Sequence, residues 1–434
     1  MQTKRIVVTG IGTLNPLGNN LETYWDNLIK GVSGADMITL FDASKFKTRF
    51  ACEIKGFDPT EFMDRKEARK LDRFAQIALV ASDQAVADAG ITKENVDHDR
   101  VGVIFASGIG GLTTFTEEVT NYVNGDGTPR FNPFFIPKMI LDIAAGQISM
   151  KHGFRGPNYA VVSACASSTN AIVSAMDNLK LGKADIIITG GSEAVIGAAG
   201  MGGFNAMKAM SERNDDPKTA SRPYDKDRDG FIMGEAAGVL VLEEYEHAKR
   251  RGAKIYCEVV GGGATADAYH LTAPHPEGLG AKNVMNAALR DAGMQANEID
   301  YVNTHGTSTP LGDIAEAKAI TEVFGEHAYN LNISSTKSMT GHCLGAAGVL
   351  VLEEYEHAKR RGAKIYCEVV GGGATADAYH LTAPHPEGLG AKNVMNAALR
   401  DAGMQANEID YINTHGTSTP LGDIAEAKAI TEVF

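Results

Sequence analysis

The sequence predicts an α/β fold in which mostly parallel sheets are covered by helices. Apolar segments of strand length alternate with segments of helical periodicity in the first half of this 434-residue chain, and the alternation continues in the second half. Parallel strands need a crossover connection, usually a helix, so this alternation favours parallel pairing. Reactive side chains follow several predicted strands, and in such sheets sites form at the carboxyl ends of strands.

The first predicted strand, Arg5–Thr9, runs into Gly10, Ile11 and Gly12. A strand followed by glycines invites a dinucleotide-binding interpretation, but Asn15 occupies the position of the third glycine in that fingerprint. Binding of a nicotinamide or flavin cofactor is therefore disfavoured.

A helix is predicted from Lys66 to Ala89, ending at Gly90. Its apolar face carries Leu71, Phe74, Ala78 and Leu79. Its first turns carry the basic residues Arg65, Lys66, Arg69 and Lys70. This basic run is either a solvated helix face or a patch that docks an acidic partner, and the sequence leaves both interpretations open.

Two irregular segments also leave alternatives open. Residues 131–137 place aromatics between prolines, which suits a hydrophobic tunnel, a subunit interface or ordinary core packing. Residues 225–230 imitate the start of a calcium loop, but the bidentate glutamate expected at position 236 is Ala236. Calcium binding is therefore disfavoured.

Cys165 lies where a predicted strand, Tyr159–Ser163, meets a predicted helix that ends at Gly182. Unpaired N–H groups and the macrodipole at a helix N-terminus favour an anion, and hence the nucleophilic thiolate. The alternative is that Cys165 is a small buried apolar residue. Further first-half strands are predicted at Val101–Ser107, Ala184–Thr189 and Val239–Leu242.

The second half repeats the alternation. Its predicted elements are strand Lys254–Gly261, helix Gly280–Ala292, strand Ile299–Thr304, helix Leu311–Phe324 and strand Leu331–Ser335. His305 follows one of these strands, and Lys337 and His342 follow another. A thiol with two histidines and a lysine suits acyl transfer, because cysteine accepts an acyl group as a thioester and imidazole N–H groups stabilise an enolate oxygen.

Composition narrows the class of protein. Apolar residues make up 44% and charged residues 22%, as in globular proteins, and the net charge of −13 argues against general nucleic-acid binding. No apolar run reaches membrane-spanning length and the N-terminal run is too short for a signal peptide, so we expect a cytoplasmic protein. The five cysteines lack CxxC spacing, which favours reduced thiols over disulfides or a zinc site.

A long internal repeat follows these elements. Residues 236–324 recur at 346–434, and the one difference is Val302 against Ile412. The repeat begins within a predicted strand and stops within a predicted helix, unlike a solenoid unit. We interpret it as a recent duplication, a chimera or an assembly error. Residues 349–359 copy a predicted strand but follow a segment that looks like the start of a helix, which is a local conflict. Residues 409–415 can compete for the place of residues 299–305, and shorter connections favour the first copy.

Several motifs in one order resemble the elongating β-ketoacyl-acyl-carrier-protein synthases, especially the synthase II type. The matching stretches are residues 8–12, 107–111, 134–137, 164–167, 221–230, 303–309 and 337–342. The resemblance covers residues 1–348 and implies a thiolase-like fold, with two pseudo-symmetric halves in a five-layer α-β-α-β-α arrangement, working as a homodimer. It also implies fatty acid elongation by decarboxylative Claisen condensation of an acyl thioester with malonyl-carrier.

The same resemblance implies roles for individual residues. Cys165 is the expected nucleophile, His305 and His342 assist decarboxylation, Lys337 supports the histidines, and Glu316 is a structural acid near the site. Ile109 matches a gate beside the acyl pocket, which Phe135 also lines, and Thr307 and Thr309 match the entry of the phosphopantetheine arm. Residues expected to face the acidic carrier protein are Lys66, Arg69, Lys70, Arg130 and Lys208.

No cofactor or metal is expected, because the carrier protein brings the phosphopantetheine. The expected units are an N-terminal half at 1–252 with the nucleophile, an incomplete C-terminal half at 253–348, and an ill-fitting duplicated copy at 349–434. The family continues after its Gly-His segment to a Gly-Phe-Gly-Gly loop that supplies an oxyanion donor, whereas the repeat occupies that place here. We therefore expect impaired activity; the alternative is an inactive relative that binds carrier protein or pairs with another subunit. His415, Thr417 and Thr419 are not expected to form a second site.

Overall fold

A computed structural model describes residues 4–270, 272–344, 375–378, 385–409 and 420–434. Its strands are β1 Ile6–Leu14, β2 Asp36–Met37, β3 Phe50–Ala51, β4 Val101–Ala106, β5 Asn158–Val161, β6 Ile186–Glu193, β7 Ala236–Glu244, β8 Cys257–Glu258, β9 Tyr301–Asn303 and β10 Asn332–Ser334. The predicted strand at Lys254–Gly261 is therefore wrong in extent, since only two of its residues pair with β1.

Helices join most of these strands. They are α1 Leu21–Ile29, α2 Arg65–Ala68, α3 Arg73–Asp88, α4 Leu112–Val123, α5 Phe135–Met139, α6 Ile143–His152, α7 Ser167–Lys180, α8 Ala198–Ala206, α9 Tyr245–Arg250, α10 Leu279–Ala292, α11 Gly312–Phe324, α12 Lys337–Thr340, α13 Leu389–Ala402 and α14 Pro420–Val433. Within the described ranges no helix is long and apolar enough to cross a membrane.

The central sheet has six strands in the order β5-β4-β6-β7-β1-β8. Strand β4 pairs in parallel with β5 and β6, but β7 pairs antiparallel with β6 and β1, and β8 pairs antiparallel with β1. The predicted mostly parallel arrangement is thus wrong for this sheet. Continuous apolar runs are typical of parallel strands because both faces are covered, and here the antiparallel strands are covered on both faces as well.

Two helical layers cover the sheet. Side chains alternate along β4, so Val103 and Phe105 pack with α3 and α6 whereas Ile104 and Ala106 pack with α7. Beyond the sheet, α7 faces the second half of the chain, where its Val173 and Met176 line a cavity with residues of α10. Helix α7 therefore lies between the central sheet and the second half, and Cys165 precedes its first turn.

The helix predicted from Lys66 to Ala89 is wrong as a single element, because it is divided into α2 and α3 by a turn around Asp72. The Asp72 carboxylate caps α3 at the Phe74 N–H and also accepts from the Thr114 N–H and hydroxyl, at 3.0 and 2.6 Å. A side chain that caps a new helix and anchors α4 stops the preceding helix. Sequence periodicity does not register this long-range bond.

The described parts of copy two largely repeat the local structure of copy one, apart from the ends of the last helix. Helices α13 and α14 carry the residues of α10 and α11, and the ion pair Lys428–Glu387 at 2.9 Å repeats Lys318–Glu277 at 2.8 Å. Lys183 of the first half binds Asp401 of α13. The predicted local conflict at 349–359 and the predicted competition at 409–415, together with His415, Thr417 and Thr419, fall outside the described residues except for Ile409.

The glycines after the first predicted strand are part of β1 and allow α3 to pack closely on it. A Cβ at Gly12 would overlap the Ala81 carbonyl oxygen and lie 2.7 Å from the Ala85 nitrogen. Side chains of α3 also bind the β1 backbone, with Asp88 accepting from Ile11 N–H at 3.0 Å. Close helix packing therefore explains this glycine pair.

We expect Gly12→Val to lower the free energy of unfolding by about 1–3 kcal/mol or more, because overpacking must move α3 off β1. Gly146→Ala in α6 is the control: no atom lies within 4 Å of the added methyl, and alanine favours a helix. Urea unfolding of both variants measures the difference. A Gly12→Val protein as stable as Gly146→Ala would contradict the packing argument.

Candidate active site

Cys165 lies in a single helical turn, Ala164–Ala166, between β5 and α7. Ala164 has a φ of 33°, a backbone conformation that is strained for a residue with a side chain. The Ser167 hydroxyl holds the turn, accepting from the Ser163 N–H at 2.8 Å and donating to the Ala164 carbonyl at 2.9 Å. The turn directs the thiol into a cavity of about 630 Å³.

His342 lies within hydrogen-bond distance of the thiol. Its Nε2 lies 3.0 Å from the Cys165 Sγ, although the two residues are far apart in sequence. The His342 backbone pairs with the segment before β7, donating to the Ile232 carbonyl at 2.7 Å and accepting from Gly234 N–H at 3.1 Å. The Phe231 ring packs edge-on against the imidazole, with centroids 5.1 Å apart.

His305 completes a cluster of three. Its ring centroid lies 5.5 Å from that of His342 and the two rings are nearly perpendicular. Glu316 of α11 fixes the loop that carries it, because the carboxylate accepts from the His305 N–H at 2.6 Å and from the Gly306 N–H at 2.7 Å. The Tyr224 hydroxyl donates to the same carboxylate at 2.8 Å.

Both imidazoles are held in the neutral form. His305 has exposed surface, yet protein atoms crowd its ring; this desolvation and the nearby Lys337 charge lower its pKa to about 4. Desolvation, the second histidine and Lys337 lower the pKa of the buried His342 well below its usual range. The protein atoms packed around the His305 ring therefore determine its desolvation more than the surface area that the residue exposes. Neutral imidazoles keep an N–H donor at physiological pH.

Lys337 opens α12 and lines the same cavity as the thiol and His342. Burial lowers the pKa of its ammonium group, while the charge of Glu316 opposes that shift. A partly buried lysine in this position places a positive charge in the cavity, where water screens it less than at the surface.

The segment predicted to mimic a calcium loop instead braces the loop after His305. Arg228 donates to the carbonyls of Thr309 and Pro310 at 3.0 and 2.7 Å, and its Nε lies 3.4 Å from the buried carboxylate of Asp313. Within that loop the hydroxyls of Thr307 and Thr309 lie 3.0 Å apart. The two threonines lie close to each other but outside the lining of the thiol cavity.

Glu193 is a cavity residue that the sequence analysis missed. It ends β6, and its buried carboxyl group accepts from the Ser107 hydroxyl at 3.0 Å and from the backbone N–H groups of Gly108, Ile109 and Gly110 at 2.7 to 3.3 Å. Burial raises its pKa to about 7 against the effect of these donors. The sequence signal that could have identified Glu193 is its place shortly after a predicted apolar strand.

The residues predicted to contact substrate occupy different places. Ile109 packs half-buried in an apolar cluster with Leu112, Phe231 and Met233, and Phe231 connects this cluster to His342. Phe135 instead stacks on Phe131, with centroids 5.4 Å apart, and does not line the thiol cavity. The structure therefore connects Ile109 to the site through Phe231 and leaves Phe135 on a separate aromatic cluster.

The predicted docking residues are at the surface. Lys66 and Arg69 are exposed on and after α2, and Lys70 pairs with Glu67 at 2.7 Å and lies over the Phe134 ring. Arg130 and Lys208 are exposed as well, and Arg130 pairs with Asp126 at 3.1 Å. Lys70 and Phe134 also line a groove of about 770 Å³.

Together, the cavity residues can accept and transfer an acyl group. A thiol that shares a hydrogen bond with a neutral imidazole can lose its proton to it and attack a carbonyl carbon. Two neutral imidazoles beside a buried ammonium group can stabilise negative charge that develops on a substrate oxygen. The roles of the individual side chains stay predictions; their proximity is observed.

Both halves of the chain match known protein families. The family described as β-ketoacyl synthase, N-terminal domain, matches residues 3–248. The family described as β-ketoacyl synthase, C-terminal domain, matches residues 256–354 and again 366–434, the latter lying within the second copy of the repeat. The division of the chain into units at residue 252 stays a prediction.

Named relatives agree with these matches. The 3-oxoacyl-[acyl-carrier-protein] synthase 2 of Staphylococcus aureus strain N315 is 50% identical over 347 residues, covering 80% of this chain and 83% of the relative. The protein of the same name from Synechocystis is 48% identical over 348 residues, covering 80% of this chain and 83% of the relative.

Solved structures share the thiolase-like fold. A β-ketoacyl synthase from Burkholderia phymatum aligns with a TM-score of 0.71 and 36% identity, covering 80% of this chain and 83% of that one. A type II polyketide ketosynthase solved with its acyl-carrier protein aligns with a TM-score of 0.72 and 32% identity, covering 80% and 84%.

We expect Glu316→Ala to lower the free energy of unfolding by about 1–3 kcal/mol, because it removes the acceptor of two backbone N–H groups beside His305. Glu322→Ala on the same helix is the matched control, since Glu322 makes an exposed pair with Lys282 that is worth about 0–1 kcal/mol. Urea unfolding measures both, and the His305 imidazole resonances should shift in the first variant alone. Equal stabilities and unchanged resonances would remove the positioning role of Glu316.

Proposed function

This chain belongs to the β-ketoacyl synthase family, and we propose that it is an acyltransferase of the 3-oxoacyl-[acyl-carrier-protein] synthase type that elongates acyl chains in fatty acid synthesis. One observation carries the proposal: the Cys165 Sγ lies 3.0 Å from the His342 Nε2 at the wall of one cavity, and the His305 ring packs against that of His342. The named relatives are synthases, which supports an active enzyme over the inactive alternative.

In the first step the Cys165 sulfur attacks the carbonyl carbon of an acyl thioester. The thiol proton passes toward His342, which lies within hydrogen-bond reach, and then to the departing thiolate of the donor. The sulfur–carbon bond of the donor breaks as the new one forms, so the acyl group ends on Cys165 and the donor thiol is released.

In the second step malonyl-carrier loses its carboxylate as carbon dioxide. The electron pair of the broken carbon–carbon bond moves to the remaining thioester as an enolate, whose oxygen accepts from an N–H of His305 and from the Nε2–H of His342, which has changed tautomer since the first step. Both imidazoles are neutral because burial and Lys337 depress their pKa values, so each has one N–H donor and one ring nitrogen that can accept a proton. The enolate carbon attacks the acyl group on Cys165, forms the new carbon–carbon bond and releases the thiolate.

The proposal includes no resident cofactor. The phosphopantetheine arm belongs to the substrate's carrier protein, and the paired hydroxyls of Thr307 and Thr309 would line its entry. One of the related ketosynthases was solved together with its acyl-carrier protein, which supports a carrier protein as the partner. Lys66, Arg69, Lys70, Arg130 and Lys208 would face its acidic surface.

The proposal further includes a cytoplasmic homodimer. Strand β5 is one of the two edge strands of the central sheet in the described part of the chain, and an edge strand offers backbone groups that a second copy can pair with. Size-exclusion chromatography with light scattering tests the dimer directly: a mass of two chains supports it, and a mass of one chain removes it.

We expect Cys165→Ala to abolish condensation of an acyl thioester with malonyl-carrier, by a factor of at least about 10³, because the acyl acceptor is removed. Cys257→Ala is the control, since that exposed cysteine lies in β8 outside the cavity. Radiolabelled acyl transfer to protein and formation of the 3-oxoacyl product are measured together. Product formation by Cys165→Ala at the rate of the unaltered chain would overturn the proposed function.

We expect Lys66→Glu and Lys70→Glu together to weaken binding of acyl-carrier protein by at least about tenfold at low salt, because two attractive charges become repulsive. The control is Lys249→Glu, which reverses an exposed lysine of α9 that pairs with Glu246. Titration by isothermal calorimetry at two salt concentrations reports the change. An unchanged affinity in the double variant would remove this surface as the docking site.

A further inference from the structure

The side chains Cys165, His305 and His342 also have the arrangement of an open metal site. Each offers one ligand atom, and the three atoms lie within 4.8 Å of one another. This is the one such group of three or more ligands found among the residues that the structure describes. We propose that this cluster binds a borderline-soft divalent cation, of which Zn²⁺ is the representative, and that bound metal blocks the site reversibly.

The ligand types and distances suit zinc. Zinc takes thiolate sulfur at about 2.3 Å and imidazole nitrogen at about 2.0–2.1 Å, so tetrahedral ligands lie about 3.3–3.6 Å apart. The Cys165 Sγ and His342 Nε2 are 3.0 Å apart, and the third ligand atom lies within 4.8 Å of both. Reaching those separations requires the Cys165–His342 pair to open by about 0.5 Å and the third ligand atom to approach by up to about 1.5 Å. The nearly perpendicular imidazole rings present their nitrogens from different directions.

The fourth coordination position opens into the cavity. Cys165 and His342 both line its wall, and the cavity volume of about 630 Å³ holds water or a carboxylate. Three protein ligands with an open fourth position are the pattern of catalytic rather than structural zinc sites. An exchangeable position also makes release of the metal easier, which suits a reversible inhibitor.

Groups behind the ligands hold them in place. The Glu316 carboxylate accepts from the N–H groups of His305 and Gly306, and the His342 backbone is paired on both sides with residues 232–234. Fixed ligands lose little conformational entropy on binding metal. The backbones that carry two of the three ligands are therefore fixed.

One group opposes the cation. Lys337 lines the same cavity and carries a positive charge beside the ligands. Its repulsion weakens binding of a dication, whereas the carboxylate of Glu316 acts in the opposite sense. The balance predicts a site that releases its metal to chelators and does not retain it as a resident cofactor. It also predicts that removing the lysine charge strengthens metal binding.

Metal binding occupies the same sulfur and nitrogen atoms that the proposed reaction needs. The Cys165 S–H bond breaks, its proton goes to the buffer, and the sulfur lone pair forms the bond to zinc; no electron is transferred and the metal stays Zn²⁺. The sulfur is then unavailable to an acyl thioester and the imidazole nitrogens to an enolate. The inhibition rests on the proposed function, but the binding of metal does not.

Co²⁺ replaces Zn²⁺ as the spectroscopic probe, because a thiolate bound to Co²⁺ gives a near-ultraviolet charge-transfer band. The full chain should develop this band on titration, and Zn²⁺ should bleach it. Cys165→Ser should lose the band, and His305→Ala and His342→Ala should each weaken Co²⁺ binding at least about tenfold. The control Cys257→Ser, at an exposed cysteine outside the cluster, should bind as the unaltered chain does. Circular dichroism checks that each variant is folded.

Lys337→Met gives a prediction of opposite sign: Co²⁺ affinity should rise by roughly tenfold, because a like charge is removed. A band that persists in Cys165→Ser, or that disappears in Cys257→Ser, would overturn the proposal, as would an absent band in the folded, unaltered chain. The band is recorded without substrate, so it separates the two hypotheses. Metal binding in a chain without synthase activity would sink the proposed function alone, and activity without metal binding would sink this inference alone.

Discussion

The site depends on one short backbone ladder that joins the two halves of the chain. Residues 232–235 pair on one side with Cys52, through the Cys52 N–H to Met233 carbonyl bond at 2.8 Å, and on the other side with His342. The ladder is anchored where Glu235, buried, accepts from Arg73 of α3 at 2.6 Å. Cys165 belongs to the first half and lies directly before α7, whereas His342 belongs to the second half and is held by this ladder. The ladder therefore fixes the position of the His342 backbone relative to the first half of the chain, which carries the Cys165 thiol.

The same region controls charge in the cavity. Burial keeps the imidazoles neutral by lowering their pKa values, and it raises the pKa of Glu193 to about 7. Lys337 supplies the positive charge, and Glu316 fixes the loop of His305 through its backbone. A cavity of this kind favours negative charge on a substrate oxygen. Its thiol and imidazoles also coordinate soft cations, so acyl transfer and metal binding compete for the same lone pairs.

The repeat separates local from long-range influences on structure. Residues 279–292 and 389–402 have the same sequence and form the same helix, with the same glycine termini and equivalent lysine–glutamate pairs nearby. Their surroundings differ: Asp291 at the end of one helix binds Lys180, whereas Asp401 at the end of the other binds Lys183. Identical residues thus form identical helices in different places, because capping and periodicity act over a few residues.

The sequence by itself determined several of the helices and strands, and which of the strands end in reactive side chains. Periodicity and glycine stops predicted α7, α10 and α11 to within a few residues, because these signals are local. Only the tertiary structure decided that β7 runs antiparallel to β6, that Asp72 divides one predicted helix in two, and that Glu193 holds the loop of Ile109. Each of these depends on a hydrogen bond between residues distant in sequence. Family resemblance implied that Cys165 and His342 share a site. The 3.0 Å distance between Sγ and Nε2, and the cluster that these two residues form with His305, result from the packing of the two halves, which no local sequence pattern specifies.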